Sequence, residues 1–427
     1  YYRQVNSLLE EPSKIARERE LKELFEESPM SSLHDEDFIA DEILDLSEDI
    51  LKKTGKGLGA YTESKGYLFA REAVADFINR RDGFTHESGL LADPEEIFLT
   101  DGASDGAKRI LDLLIAEKTD GVMIPIPQYP LYSASIKMFG GTQTNYYPDE
   151  ENDWALNRKI LEEAYAQASA EGVKVKAIVV INPGNPTGAI LDKESVYEVI
   201  SFAKTHNLAI IADEVYQENL YGGEFTSFAK ALGDEKNVVL FSLHSISKGF
   251  YGECGHRGGY LEVRNSPLVA GTELNFIDLL LKQASVSLCA NSVGQIMTYL
   301  MVSPPNSESR VRQKFIVEKE KVLANLYEKA MMVREAFKKM DGLESFGKTG
   351  AMYLFPRLNK LPKGTDDFDY CMALLEETGL CTVNGSGFGL KNHLRIAFLP
   401  SKEQLEEVLP RWIEFHNRYV NGEQSLR

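Results

Sequence analysis

The chain has 427 residues, a length typical of two or three domains, and its 43% hydrophobic and 26% charged residues are the balance of a globular protein. The formal net charge of −18 argues against a general nucleic-acid binder, which would show a basic surface. No apolar run reaches the roughly 18 residues that span a bilayer, and no signal peptide is visible after Tyr1. We therefore expect neither nucleic acid nor a membrane as a partner.

The four cysteines form no CxxC motif and no Cys/His cluster with zinc spacing. Free thiols in a reducing compartment are the simplest interpretation, and no metal site is expected. The compartment would be the cytoplasm, or the mitochondrial matrix or a plastid if a transit peptide has been removed.

Taken in chain order, the N-terminal part of the chain is predicted to be helical, and the central part of the chain is predicted to alternate strands with helices. Residues 1–50 read as acidic helices, 66–80 as an amphipathic helix, 96–100 as a strand followed by a helix to about 116, and 121–126 as a strand. Three continuous apolar runs follow, at 177–181, 208–212 and 238–243, with helices near 193–206 and 227–232. Short apolar runs without alternation are typical of parallel strands that helices cover on both faces.

The pattern changes after the Ser-Pro-Pro segment at 303–305. A long charged helix at about 307–340 is followed by a segment at 350–356, a helix near 368–379, a strand at 393–399 and a last helix to about 419. We therefore predict an α/β fold. Its large domain (51–303) holds a mostly parallel sheet, and a smaller α+β domain is built from both chain ends (1–50 and 304–427).

Polar segments follow four of the predicted strands at the point where each strand ends. These segments are 101–104, 182–188, 213–216 and 245–248. In an open α/β sheet, ligands bind at the carboxyl ends of the strands, so these segments are expected to meet at one site.

Each candidate residue there also has an ordinary structural interpretation. Ser104 could bind a phosphate at a helix N-terminus or simply cap that helix. Asp213 could pair with a ligand cation, because a buried carboxylate needs a partner, or it could cap the next helix. Lys248 could form a Schiff base and Arg257 could bind a phosphate through two hydrogen bonds, or Lys248 could be a solvated lysine and Arg257 part of a structural ion pair. The residues taken singly leave these alternatives open.

Taken together, the motifs resemble those of the fold-type I, class I aminotransferases, and more closely the alanine aminotransferases. The motifs that carry the resemblance are PIPQYPLYSA (125–134), INPGNPTG (181–188), ADEVYQ (212–217), SISKGFYGECGHRGGY (245–260) and LLEETGLCTVNGSGFG (374–389). The resemblance extends over nearly the whole chain. It implies pyridoxal 5'-phosphate as the cofactor, and a transfer of the amino group between L-alanine and 2-oxoglutarate that gives pyruvate and L-glutamate.

The resemblance also implies a role for each matching residue. Lys248 would be the Schiff-base lysine and proton carrier, with Asp213 on the pyridine nitrogen and Tyr129 stacked on the ring. Asn185 and Tyr216 would bind the ring hydroxyl, whereas Ala103, Ser104, Ser245 and Arg257 would hold the phosphate. Tyr61, in GAYTESKG, would reach the phosphate in the neighbouring subunit of a homodimer. Arg395, in HLRIAFLP, would bind the substrate carboxylate, next to Asn185 and Tyr129.

Two other classes of protein remain open at this stage. Other fold-type I enzymes, such as carbon–sulfur lyases and aminocyclopropane-carboxylate synthases, share the lysine, aspartate, asparagine, tyrosine and arginine positions. A non-catalytic regulator of the same fold would need an attached DNA-binding module, and no helix-turn-helix with a basic face precedes residue 50. The GECG-x-RGG run at 252–259 favours the aminotransferase. No clear candidate is found for the second arginine that binds the distal carboxylate in aspartate aminotransferases.

Overall fold

The structure, a computed structural model, describes residues 1–27, 38–305 and 307–423. The helical prediction for 28–37 and the last four residues of the predicted small domain lie outside the described residues. Among the described helices, none combines the length and apolar character needed to cross a bilayer. Cys254, Cys289, Cys371 and Cys381 are all free thiols.

A seven-stranded sheet forms the centre of the larger unit. Its strands are β1 (Ile97–Thr100), β2 (Asp120–Pro125), β3 (Thr142–Tyr146), β4 (Lys174–Ile181), β5 (Ala209–Asp213), β7 (Leu240–Ser245) and β8 (Gly259–Arg264), while β6 (Leu220–Tyr221) lies outside it. The order across the sheet is β1-β8-β7-β5-β4-β2-β3. All neighbours run parallel except β8, which is antiparallel to both β1 and β7. The predicted α/β class with a mostly parallel sheet is confirmed.

Fourteen α-helices are found in the described residues. They are α1 (Tyr2–Glu10), α2 (Ser13–Glu27), α3 (Asp41–Lys53), α4 (Leu68–Asp82), α5 (Ala103–Leu114), α6 (Leu131–Met138), α7 (Arg158–Ala170), α8 (Lys193–His206), α9 (Phe228–Leu232), α10 (Phe276–Val286), α11 (Ser292–Val302), α12 (Arg310–Phe337), α13 (Asp367–Thr378) and α14 (Lys402–Val420).

Alternate residues along the buried strands face opposite helical layers. On β4, Val179 packs in the cluster that contains α5, α6 and α10, whereas Ile178 and Val180 pack in the cluster that contains α7, α8 and α9. Successive side chains of a strand point to opposite faces, so a strand covered on both sides must be apolar at every position. That requirement explains the continuous apolar runs in the sequence.

The remaining strands belong to a smaller unit with its own core. They are β9 (Leu343–Glu344), β10 (Thr349–Gly350), β11 (Tyr353–Leu354), β12 (Arg357–Leu358), β13 (Val383–Asn384) and β14 (Leu394–Ala397). Its core includes Leu326 and Val333 of α12, Leu374 of α13 and Trp412 of α14.

The N-terminal helices contact the large unit. Val5 of α1 and Ile43 of α3 share a hydrophobic cluster with Val74 of α4 and Met297 of α11. The sequence predicted that residues 1–50 join the C-terminal unit, and the same cluster also includes a residue of α12. A short amphipathic helix can bury its apolar face on any apolar surface, so its own pattern does not say which surface that is.

The small unit meets the large one at a close backbone contact. The Gly350 amide donates to the Gly188 carbonyl at 2.6 Å, and a Cβ on Gly188 would lie 2.3 Å from the Tyr353 carbonyl oxygen. Only glycine fits at position 188, which also has a positive φ of 68°. This contact brings β11 and β14 over the carboxyl ends of the parallel strands.

Candidate active site

A cavity of about 340 Å³ lies where the polar strand ends meet the small unit. Its walls include Ala103, Ser104, Tyr129, Asn185, Asp213, Tyr216, Ser245, Lys248, Arg257 and Arg395, together with Leu131, Ile181, Val215, Ser247, Cys254 and Tyr353. Every predicted site residue except Tyr61 therefore lines one cavity.

One end of the cavity combines a helix N-terminus with an arginine. The Arg257 guanidinium donates to the Asp101 carbonyl at 2.8 Å and to the Ser104 hydroxyl at 3.2 Å, at the first turn of α5. Free backbone N–H groups and the helix dipole make such a terminus attractive to anions. Arg257 adds a full positive charge and a planar pair of donors, so this end is suited to a phosphate.

The backbone around Arg257 is held in an unusual conformation. Arg257 itself has a φ of 50°, a value that non-glycine residues seldom adopt. A Cβ at Gly102 would lie 2.6 Å from the Arg257 guanidinium, and one at Gly258 would lie 2.2 Å from the Gly294 carbonyl oxygen of α11. Glycines at these positions allow the close approach that aims the arginine at the helix terminus.

Asp213 ends the central strand β5 and is only 6% exposed. Its Oδ2 accepts a hydrogen bond from the Tyr132 hydroxyl at 2.8 Å, while Oδ1 has no hydrogen-bond partner among the described residues. Burial raises the pKa of Asp213, against the opposing effects of the Tyr132 hydrogen bond, a hydrogen bond from the Val215 backbone amide and nearby Lys248. A protonated ring nitrogen in the cavity would supply the donor that Oδ1 lacks and favour the carboxylate form.

Lys248 lies across the cavity on the loop after β7. Its Nζ is 5.4 Å from the centroid of the Tyr216 ring, and Tyr216 is 2% exposed. Burial raises the pKa of Tyr216, so its hydroxyl keeps its proton and can donate a hydrogen bond. At the end of β7, the Ser245 hydroxyl accepts from the Ser247 amide of that loop at 3.3 Å, and both serines line the cavity.

Arg395 enters the cavity from β14 of the small unit. Its guanidinium carbon lies 4.5 Å from the Tyr353 ring centroid and 4.8 Å from that of Phe388, and its Nη1 donates to the Asn185 amide oxygen at 3.3 Å. The two rings flank the guanidinium, and no carboxylate of the described residues forms an ion pair with it. Arg395 can therefore offer two donors to a ligand carboxylate.

Two predicted residues are comparatively exposed. Tyr129 is 43% exposed but does line the cavity, where its ring can face a planar ligand. Tyr61 is 79% exposed and lies outside the cavity walls. The exposed side chain of Tyr61 is free to contact another molecule, and the described residues do not bring it to the cavity of its own chain.

Sequence analysis assigned no role to Tyr132 and Tyr353, two tyrosines that touch the predicted residues. Tyr132 binds Asp213, and the Tyr216 hydroxyl lies 3.5 Å from that of Tyr353. Tyr132 belongs to the PIPQYPLYSA motif, but its contact crosses from α6 to β5. The spacing along the chain gives no signal for such a contact.

The cavity at the carboxyl ends of the parallel strands brings together a lysine, a buried carboxyl group and an arginine at a helix N-terminus. A family model described as aminotransferase class I and II matches residues 34–411. The chain therefore belongs to the class I and II aminotransferases.

Individual relatives agree with this assignment. A probable mitochondrial alanine aminotransferase of Dictyostelium discoideum is 40% identical, over 99% of this chain and 77% of the relative. Glutamate–glyoxylate aminotransferase 2 of Arabidopsis thaliana is 40% identical, over 87% of this chain and 79% of the relative. A solved structure of an alanine aminotransferase from Pyrococcus furiosus matches with a TM-score of 0.73 and 25% identity, covering 89% of this chain and 88% of that one.

A second buried carboxyl group lies directly after Asp213. Glu214 is 1% exposed, its Oε1 accepts from the Phe228 amide at 2.8 Å, and its Oε2 has no partner among the described residues. Burial raises the pKa of Glu214 to about 7, although nearby Arg81 opposes the shift. Because this pKa lies above the ordinary value of 4.5, folding favours the protonated form.

This shift predicts a pH-dependent difference between the wild type and Glu214→Gln. The stabilising contribution of the protonated carboxyl is fully present below about pH 4.5 and is lost as the pH rises through about 7. The neutral amide does not titrate, so the variant should match the wild type near pH 5 and be more stable at pH 8. The gain should be up to roughly 3 kcal/mol, at about 1.4 kcal/mol per pKa unit.

Thermal and urea midpoints measured at both pH values check this prediction. Glu235→Gln is the control, because hydrogen bonding to Lys204 lowers the pKa of Glu235 to about 2 and that variant should gain nothing at pH 8. A constant offset between Glu214→Gln and wild type at all pH values would contradict the assignment.

Proposed function

We propose that this aminotransferase uses pyridoxal 5'-phosphate to move the amino group between L-alanine and 2-oxoglutarate, giving pyruvate and L-glutamate. The observation that carries the proposal is the single cavity that joins Lys248, Asp213 and Arg257 to Arg395. Each of the four groups matches a different part of the cofactor and its substrate.

The residues of the cavity fit the cofactor along its length. The N-terminus of α5, with Ala103 and Ser104, would hold the phosphate together with Arg257 and Ser245. At the other end, Asp213 Oδ1 lacks a partner and would accept from the ring nitrogen. Asn185 and Tyr216 would bind the ring hydroxyl, and Tyr129 would cover the ring face. When bound, the cofactor supplies an electron-accepting ring that carries the amino group between substrates.

The protein itself contributes a base, Lys248, and a group that binds the substrate carboxylate, Arg395. Lys248 would hold the cofactor covalently and, once displaced by the substrate amine, would take the proton from the substrate Cα. Asp213 would keep the ring nitrogen protonated through its negative charge. One amino acid would leave as a 2-oxo acid before a second 2-oxo acid binds, which is a ping-pong order.

Substrate choice rests on the small unit. Arg395 would bind the α-carboxylate through its planar pair of donors, with Asn185 alongside. The cavity walls contain two arginines, and Arg257 lies at the phosphate end, so the described walls offer no further arginine for a distal carboxylate. This arrangement and the alanine aminotransferase relatives favour L-alanine over L-aspartate as the donor. The glutamate–glyoxylate relative makes glyoxylate the second acceptor to assay.

The exposed Tyr61 is the reason to propose a homodimer. In a dimer, Tyr61 of one chain would complete the phosphate end of the site in the other. For the location, we propose a reducing compartment, because all four cysteines are free thiols. The mitochondrial name of the Dictyostelium relative makes the matrix a specific candidate.

Lys248 is predicted to hold the cofactor. The purified protein should absorb visible light, lose that band with L-alanine and regain it with 2-oxoglutarate. Lys248→Ala should lower turnover by at least roughly 10²–10⁴-fold, the usual contribution of a positioned acid–base group. Stopped-flow absorbance and a pyruvate assay measure both effects.

Lys230→Ala is the matched control for Lys248→Ala, because Lys230 is exposed on α9. It should behave as wild type. Release of ammonia together with pyruvate, without formation of glutamate, would instead indicate a lyase of the same fold.

Arg395 is predicted to bind the substrate α-carboxylate. Arg395→Lys should lower kcat/KM for L-alanine and L-glutamate together by about tenfold or more, since a charge-assisted hydrogen bond contributes roughly 1.5–3 kcal/mol. Initial rates with alanine, glutamate and aspartate test this, with the exposed Arg411→Lys as control. Unchanged kcat/KM values in Arg395→Lys would mean that Arg395 does not bind the substrate carboxylate. If aspartate is the best donor for the wild type, the alanine specificity is wrong.

The third prediction tests the dimer. Lys248→Ala and Tyr61→Ala homodimers should both be impaired, but mixed dimers should contain one site with both wild-type groups. Activity should therefore rise after subunit exchange, and sizing chromatography of tagged chains should show the mixed dimer. Absence of any recovery in confirmed mixed dimers would mean that Tyr61 does not act across an interface.

A further inference from the structure

A second cavity, of about 480 Å³, lies between the C-terminal end of α4 and the first half of α12. Its polar lining residues are Arg80, Arg81, Gln217, Glu218, Arg312 and Lys319. It shares no lining residue with the candidate active site. The proposed aminotransferase mechanism does not use this cavity.

The lining carries more positive than negative charge. Arg81 forms an ion pair with Asp82 at 2.6 Å, and Lys319 forms one with Glu218 at 2.6 Å. In the described part of the chain, Arg80 and Arg312 donate only to main-chain carbonyl groups, those of Val302 and Pro305. No carboxylate among the described residues therefore forms an ion pair with either guanidinium, in a protein whose formal net charge is −18.

The other walls of the cavity are mostly apolar. They include Phe77, Met301, Phe315 and Ile316. Arg312 is half-buried beside these walls, where a lower local dielectric constant strengthens its interaction with an anion, whereas Arg80 is exposed. The volume is within the range of small-molecule sites, and a few placed charges on an apolar wall are typical of such sites.

We propose that this cavity binds a small organic dicarboxylate. Its two anionic ends would be bound by Arg80 on α4 and Arg312 on α12, which approach from different helices, and its apolar middle would contact the aromatic walls. Arginine suits this ligand because its planar donors match a carboxylate in two-point contact. Two separate arginines match two separated carboxylates better than they match one compact anion.

The cavity also lies directly behind the wall of the active site. Gln217 and Glu218 follow Tyr216 in the chain, and Asn219 holds Gly249 by accepting from its amide at 2.8 Å and donating to its carbonyl at 3.2 Å. A Cβ at Gly249 would lie 3.0 Å from the Glu218 carboxylate. A dicarboxylate bound by Arg80 and Arg312 would lie beside the Lys319–Glu218 ion pair, and through Glu218 it would act on the segment beside Lys248, so it should change kcat.

Succinate is the probe, since it carries two carboxylates but neither an amino nor a 2-oxo group. Calorimetric titration of the holoenzyme should show a succinate site in wild type, and Arg80→Gln/Arg312→Gln should weaken it at least tenfold. Arg395→Lys should retain this site. That result would distinguish succinate bound in the second cavity from succinate bound at Arg395 in the active site. The exposed Arg310→Gln, on the same turn of α12, is the matched control and should also retain it.

The binding measurement does not depend on the proposed activity, so the two can fail separately. Equal succinate affinity in wild type and the double variant would overturn the site, provided that circular dichroism shows both folded. The single variants Arg80→Gln and Arg312→Gln give the same test if the double variant does not fold. Tighter binding of inorganic phosphate than of succinate would overturn the dicarboxylate assignment.

Turnover is the second readout and rests on the proposed function. At saturating L-alanine and 2-oxoglutarate, succinate should change kcat in the wild type and in Arg310→Gln, and should leave the double variant unchanged. A wild-type kcat that stays constant at succinate concentrations that fill the site would overturn the coupling to Lys248.

Discussion

The buried carboxylate of Asp213 is the constraint on which the site depends. A charge at the end of a fully buried strand is unfavourable unless it is paired and hydrogen-bonded. Among the described residues, the Tyr132 hydroxyl and the Val215 amide supply only part of that pairing. Burial raises the pKa of Asp213 because this partial pairing does not fully offset the loss of hydration. Under the proposed function, the cofactor's ring nitrogen makes up the rest, so binding the cofactor relieves an unfavourable feature of the empty protein fold.

The phosphate end of the cavity follows from backbone geometry more than from side-chain chemistry. Arg257 reaches the first turn of α5 only because Gly102 and Gly258 leave room where a Cβ would collide. The antiparallel strand β8 makes this possible as well. It begins at the edge of the sheet where its antiparallel neighbour β7 ends, and so delivers Arg257 to the same edge as Ser245.

The two structural units make separate contributions to the chemistry. The sheet brings the groups suited to a cofactor, and the small unit brings Arg395 between the rings of Tyr353 and Phe388. The Gly188–Gly350 contact fixes the distance between the units at the edge of the cavity. Under the proposed function, Arg395, which would bind the substrate carboxylate, lies on a different core from the groups that would hold the cofactor. A change in either core would alter how the two face each other.

The sequence by itself determined the elements whose signal is local. Continuous apolar runs predicted β4, β5 and β7 to within a few residues, whereas β3, a parallel strand without such a run, was not predicted. The helix predicted at 193–206 was observed as Lys193–His206. The polar segments after four strands predicted that Ser104, Asn185, Asp213 and Lys248 would meet, because parallel strands end at one edge of a sheet. The motifs identified the family, which the family model confirmed.

Only the tertiary structure decided features that depend on contacts between distant segments. The antiparallel direction of β8, the packing of α1 and α3 against α4 and α11, and the Tyr132–Asp213 hydrogen bond leave no periodic trace in the chain. The same holds for the pairing of Arg80 and Arg312 around one cavity, since these residues are far apart in sequence. Local patterns record which face of a segment is apolar, whereas its packing partner is chosen by the surfaces available once the whole chain has folded.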